Sequence, residues 1–174
     1  MNFYRPLFKD TKKKHLYLFN PRISIAELFF TALGTVFGIG ILAFLSDFTT
    51  LSFLVPPFGA SAVLLYAAPT VALAQPRNVI GGHLVAATTG VIIHLYLGTA
   101  WWAITLAVTL AILLMSITDT LHPPGGATAI VAMMLPEISF RFIFFPIGIG
   151  AVIMVIVAIL ANRFSEDRVY PTKK

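Results

Sequence analysis

The stretches PPFGASAVLLYAAP at 56–69 and PPGGATAIVAMMLP at 123–136 carry the reading of this chain. At a constant offset of 67 residues, Pro56, Pro57, Gly59, Ala60, Ala62 and Pro69 meet Pro123, Pro124, Gly126, Ala127, Ala129 and Pro136, and Ser61 meets Thr128. Each stretch opens on a proline pair and closes on another proline after about a dozen residues. Such a helix is roughly 20 Å long and falls short of a hydrocarbon core of about 30 Å. The flanking apolar segments, roughly 26–46, 79–97, 101–118 and 143–163, are long enough to span. The chain thus reads as an all-α membrane protein of two internal repeats, 26–97 and 101–163. Each is a transmembrane helix, a Pro-opened half-helix and a transmembrane helix. If the half-helices are re-entrant, the chain crosses four times with parallel repeats; if they belong to broken crossings, it crosses six times with inverted ones.

Proline is at home in the first helical turn, where its missing N–H has no intrahelical partner to lose. Small residues just behind it leave backbone N–H groups bare, and these donors, with the positive end of the helix dipole, favour an anion. The expected substrate site is therefore Gly59, Ala60 and Ser61 of one half-helix with Gly125, Gly126, Ala127 and Thr128 of the other, and with His122 just ahead of the second proline pair. The competing reading is close packing, the small residues being there only to let helices touch.

Composition agrees with a membrane protein. Of 174 residues, 58% are hydrophobic and 11% charged, where a soluble domain has about 25% charged. Mean hydropathy is +0.90. Between positions 28 and 162 the charged residues are Asp47, Arg77, Asp119, Glu137 and Arg141 alone. The net charge of +5 comes from basic tails, which argues against nucleic acid and for positive-inside flanks, both tails cytoplasmic. The run KDTKKK at 9–14 suits anionic lipid headgroups, and both tails read as solvated, orienting segments. The expected organisation is a basic leader (1–25), one transmembrane domain (26–163) and a cytoplasmic tail (164–174), with the first apolar run retained as a span. The chain has no cysteine, so thiolate catalysis and cysteine-ligated metals are out.

Where the halves differ, the second is more polar: Asp119 stands where the first has Ser52, and His122 where it has Val55. An ionisable pair beside a half-helix start inside an apolar chain marks a candidate for proton coupling or gating. Asp119 is read either in that role or as a helix cap or surface residue. His83 and His94, eleven residues apart on one helical face, are read first as buried, hydrogen-bonded histidines and second as pathway residues. Arg77 is a pathway or gating candidate whose plainer reading, shared with Arg141, is an interfacial anchor. Gly34 with Gly38, and Gly82 with Ala86 and Gly90, read as packing faces, and Trp101 and Trp102 as interfacial indoles.

LHPPGGATA at 121–129, PPFGASAVLL at 56–65 and QPRNVIGGH at 75–83 together resemble the HPP family of integral membrane proteins, over most of residues 26–163. The resemblance implies a compact multi-helix membrane fold and, from plastid and cyanobacterial members, nitrite transport. His122, Pro123 and Pro124 match the naming motif, and regulation through the CBS domains that some relatives carry is not expected. The expectation is a transporter or channel for a small monovalent anion, nitrite foremost, in a bacterial inner membrane. No enzyme activity, metal or cofactor is expected. A non-transporting scaffold or sensor, and a proton or cation pathway centred on Asp119, are the rivals. The glycine faces suit a homo-oligomer unless they are spent within one subunit.

Overall fold

Six helices make up the computed structural model, which describes residues 24–164 and 168–172: α1 (Ile25–Phe48), α2 (Pro56–Ala62), α3 (Pro76–Leu97), α4 (Trp101–Ile117), α5 (Pro123–Met134) and α6 (Ile149–Arg163). Most of the expected basic leader, residues 1–23 with the run at 9–14, lies outside the described residues, as do 165–167 and 173–174 of the tail. No strand occurs among the described residues.

The sequence sets the helix boundaries. A capping box opens α1: the Ser24 side chain accepts from the Glu27 N–H, and the Glu27 carboxylate accepts from the Ser24 N–H. Proline opens α2, α3 and α5, as the first-turn rule demands. Helix α2 continues through a widened π turn, Val63–Ala67. A second widened turn, Ile143–Gly148, broken at Phe145 beside Pro146, leads into α6.

Three helical stretches, Ile25–Phe48, Pro76–Leu97 and Ile143–Arg163, are long and apolar enough to cross a membrane; α4 is apolar and 17 residues long. Outward-facing Phe29, Phe37, Phe44, Leu113, Ile156 and Leu160 are exposed in the isolated chain. An apolar exterior of this kind needs hydrocarbon around it. Inside, Leu42, Phe58, Leu65, Tyr66, Ile147 and Met154 are buried in one core cluster.

Hydrogen bonds fix the direction of each segment. The Leu54 N–H donates to Ser46 Oγ near the end of α1, while Thr31 Oγ1 near its start donates to the Tyr66 carbonyl. The stretch 49–67 therefore runs back along all of α1, extended first and helical after. In the second half, Asn78 Nδ2 donates to the Leu121 carbonyl near the start of α3, and His94 Nδ1 donates to the Ala132 carbonyl near its end. Helix α5 thus runs parallel to α3, and both short segments traverse the bundle instead of turning back. The start of α1 and the residues after α6 meet at one end, where Arg168 donates to the Glu27 and Tyr66 carbonyls, Thr31 Oγ1 and Asn162 Oδ1.

That contact corrects the reading of a solvated tail. Tyr170 is buried and donates to the Ala74 carbonyl, and the Thr172 N–H donates to Gln75 Oε1. A segment that satisfies the Tyr66 and Ala74 carbonyls, left over at the ends of their helical turns, is part of the fold.

The glycine faces on the long helices are spent internally. A Cβ on Gly34 or Gly38 would run into the Tyr66 ring, one on Gly82 would meet His122 Cβ, and one on Gly90 would meet Ala132. Gly40, Gly59 and Gly126 face open space.

Candidate functional site

The matched hydroxyls of the two half-helices meet on one imidazole. Ser61, on α2, and Thr128, on α5, lie 2.8 Å from opposite ring nitrogens of His83: Ser61 Oγ from Nε2 and Thr128 Oγ1 from Nδ1. Ser61 Oγ also lies 2.9 Å from Nε2 of His122, whose Nδ1 is 2.8 Å from the Leu73 carbonyl. The two imidazole rings stand 4.9 Å apart, edge to face, and Phe58 stands 5.1 Å from His83. All four polar side chains have no solvent exposure. Among the described residues no buried side-chain nitrogen or oxygen lacks a hydrogen-bond partner. In a low-dielectric interior such a network is costly unless it is complete, and this one is.

Backbone geometry puts these groups together. His122 is the N-cap of α5 with extended dihedrals, so its side chain points back across the helix start toward α2. Ser61 and Thr128 sit one turn past the second proline of each pair, on the side facing α3. Gly82, next to His83, lets α3 approach: a Cβ there would collide with His122 Cβ and the Thr120 carbonyl.

The other expected site residues fall elsewhere. Gly125 is buried, and a Cβ on it would meet Met115 Sδ at 2.9 Å and the Gly82 carbonyl at 3.0 Å, which is a packing position. Gly59, Ala60 and Ala127 are exposed and Gly126 half-exposed. They form the open side of the half-helices. Asp119 lies at the bundle end where α1 starts and Arg168 docks, in the left-handed turn after α4, which an aspartate tolerates. There its carboxylate accepts from Arg77 at 2.9 Å; Arg77 also donates to the Thr118 carbonyl, and both side chains are solvent-exposed. Half-buried His94 donates to a backbone carbonyl, the plainer of its two readings. At the opposite end, Thr50, Val55, Leu135, Glu137, Arg141 and Phe145 line part of a cleft of about 210 Å³ that reaches Val55, the N-cap of α2.

Sequence reasoning read His83, like His94, first as a buried, hydrogen-bonded histidine, and His83 is one, but it missed that this ring joins the two halves. The available signal was the pair Ser61 and Thr128: two hydroxyls at matched positions in apolar surroundings need a partner able to serve both. The Leu73 carbonyl carries no sequence signal at all.

Fold and cluster together define an all-helical integral membrane protein whose only fully buried side-chain network among the described residues links two Pro-opened half-helices. The chain belongs to the HPP transmembrane family, whose model matches residues 20–171. Two transmembrane proteins of Dictyostelium discoideum are 40% identical to it over 161 and 162 residues, 86% and 87% of this chain and 52% and 57% of their own lengths. The chain spans about half the length of these curated relatives. No solved structure matches it.

Proposed function

We propose that this chain transports a small monovalent anion, nitrite foremost, and that the substrate passes between the starts of α2 and α5. The observation that carries the reading is the meeting of Ser61 and Thr128 on His83. Two half-helices of matched sequence run in opposite senses and converge at a buried polar point inside an otherwise apolar bundle. Interrupted helices in corresponding positions are how transporters build a site at mid-membrane. The bare first turns at Gly59, Ala60, Gly126 and Ala127 supply N–H donors and dipole for an anion, and the cleft at Arg141 leads to the N-cap of α2. In this reading the chain crosses six times as inverted repeats, α1 packing on α6 as α4 packs on α3, with both termini on the cytoplasmic side.

Nitrite uptake into proteoliposomes tests this directly. Protein-dependent uptake, competed by formate or nitrate and reduced by His122→Ala, is the expected result. No uptake by the unaltered chain overturns it.

A non-transporting scaffold is the second reading, favoured by one observation: the cluster is closed and satisfied from within. A chain that binds no anion and moves none, yet folds stably, is what that reading expects.

A further inference from the structure

The acceptors around the cluster determine where its hydrogens lie. The Leu73 carbonyl can only accept, so His122 carries a hydrogen on Nδ1. In the neutral ring Nε2 is then a lone pair, and it takes the hydroxyl hydrogen of Ser61. That spends the one hydrogen Ser61 has, so its Oγ accepts from Nε2–H of His83. Nδ1 of His83 is then bare and accepts from Thr128. In the neutral state the four bonds run one way, from Thr128 to the Leu73 carbonyl.

Each hydroxyl also has a second acceptor on its own half-helix: Ser61 Oγ lies 3.2 Å from the Pro57 carbonyl, and Thr128 Oγ1 lies 3.4 Å from that of Pro124. Rotating the Thr128 hydroxyl to Pro124 frees Nδ1 of His83 to bind a proton and donate it back to Thr128 Oγ1. Rotating the Ser61 hydroxyl to Pro57 does the same for Nε2 of His122. No hydrogen bond is lost in either state. The cluster is thus built to hold zero or one added proton without moving a heavy atom.

Its surroundings supply no compensating charge. The imidazoles face each other, Phe58, Ser61 and Thr128. Helices α2, α4 and α5 contain no charged residue, and α6 has Arg163 in its last turn. On α3, Arg77 bonds Asp119 at the exposed end and His94 bonds the Ala132 carbonyl; Tyr66, beyond α2, donates to the Met154 carbonyl. An anion drawn to this depth would meet neutral donors alone, and a buried unpaired charge is unfavourable.

We propose that the His83–Ser61–His122 chain takes up one proton with each anion, so that substrate crosses as an electroneutral pair. This rests on the transport reading above. The proton comes from water on one side and forms an N–H bond at His83 Nδ1 or His122 Nε2. On release that bond breaks and the proton leaves with the anion on the other side. Nothing is oxidised or reduced.

The experiment uses the full chain in proteoliposomes, nitrite as probe, protein-free vesicles as the background to subtract, and a lumenal pH dye. A one-unit inward proton gradient raises the initial uptake rate by up to about tenfold, one proton enters per nitrite, and an imposed potential of about 100 mV leaves the rate unchanged. The double variant His83→Gln/His122→Gln, whose amides can bond the hydroxyls but cannot bind a proton, loses the response to the gradient. Uptake that follows the potential and brings no proton overturns the inference and leaves the transport reading standing, as does a full gradient response in the double variant. No protein-dependent uptake overturns both. Nitrogen NMR of histidine-labelled chain in nanodiscs reads the tautomers without substrate: His122 protonated on Nδ1 and His83 on Nε2 is the expected result, and the opposite tautomer on either ring overturns the one-way chain.

Discussion

Helices α2 and α5 start from the same proline pair and reach the same imidazole, but they are held in place by opposite means. At matched positions α2 has Phe58, buried in the core, where α5 has Gly125, pressed against α3 and α4. The N-caps differ too: Val55 on α2 is an apolar cap, whereas His122 on α5 adds a second ring to the cluster. Beyond the helix, α2 extends to Tyr66, whose ring lies over Gly34 and Gly38 and whose hydroxyl donates to the Met154 carbonyl. A half-helix can therefore be anchored by a large side chain reaching out or by small ones letting neighbours in. The polar point they share, Ser61 with Thr128, is independent of that choice.

Swapping the anchoring modes is the most disruptive way to probe the difference. Gly125→Phe copies the α2 residue into α5, where even a Cβ meets the Gly82 backbone, so the loss exceeds about 3 kcal/mol and no folded protein is recovered in detergent. Recovery of a stable variant would show that α5 is not held by close approach.

The shared polar point gives the next effect. Ser61→Ala leaves a nitrogen on each of two buried rings without its partner and costs about 3 kcal/mol, whereas Thr128→Ala strands one nitrogen and costs about 1 kcal/mol. Thermal unfolding in one detergent ranks the pair, and Thr128→Ser restores the smaller loss. An equal cost for both would remove Ser61 from the centre of the network.

Gly59→Ala and Gly126→Ala separate packing from substrate contact, since a Cβ at either meets nothing. Stability should stay level or rise by up to about 1 kcal/mol, while nitrite uptake falls as the bare first turn is covered. Unchanged uptake would take these N–H groups out of the site. The smallest effect belongs to Arg77→Ala at the exposed pair with Asp119, below about 1 kcal/mol in the same unfolding measurement.

Proline grammar and apolar length made most of the fold legible in the sequence. The segment at roughly 101–118 is α4 at 101–117, and the Pro-opened stretch at 123–136 is α5 at 123–134. Of the candidate site, Ser61, Thr128 and His122 were legible from the duplication and from the one place where polarity breaks it. The choice between re-entrant and broken segments was not, because it depends on which end of α1 the Tyr66 carbonyl reaches. Asp119 stood out in sequence by its nearness to His122, three residues on. An aspartate in a left-handed turn ends up at the bundle end, where its bonded partner is Arg77. The tail was read from charge alone, and charge does not reveal that Arg168 has four acceptors waiting.

The Arg168 contact also bears on how the chain closes during synthesis. Its partner carbonyl on Glu27 lies 141 residues earlier, and the Tyr66 hydroxyl waits 88 residues for Met154. Contacts that far apart in sequence form late, after the intervening loops have been closed. Helix α1 is thus among the last to be secured, because its Arg168 contact forms only once the helices in between have been made.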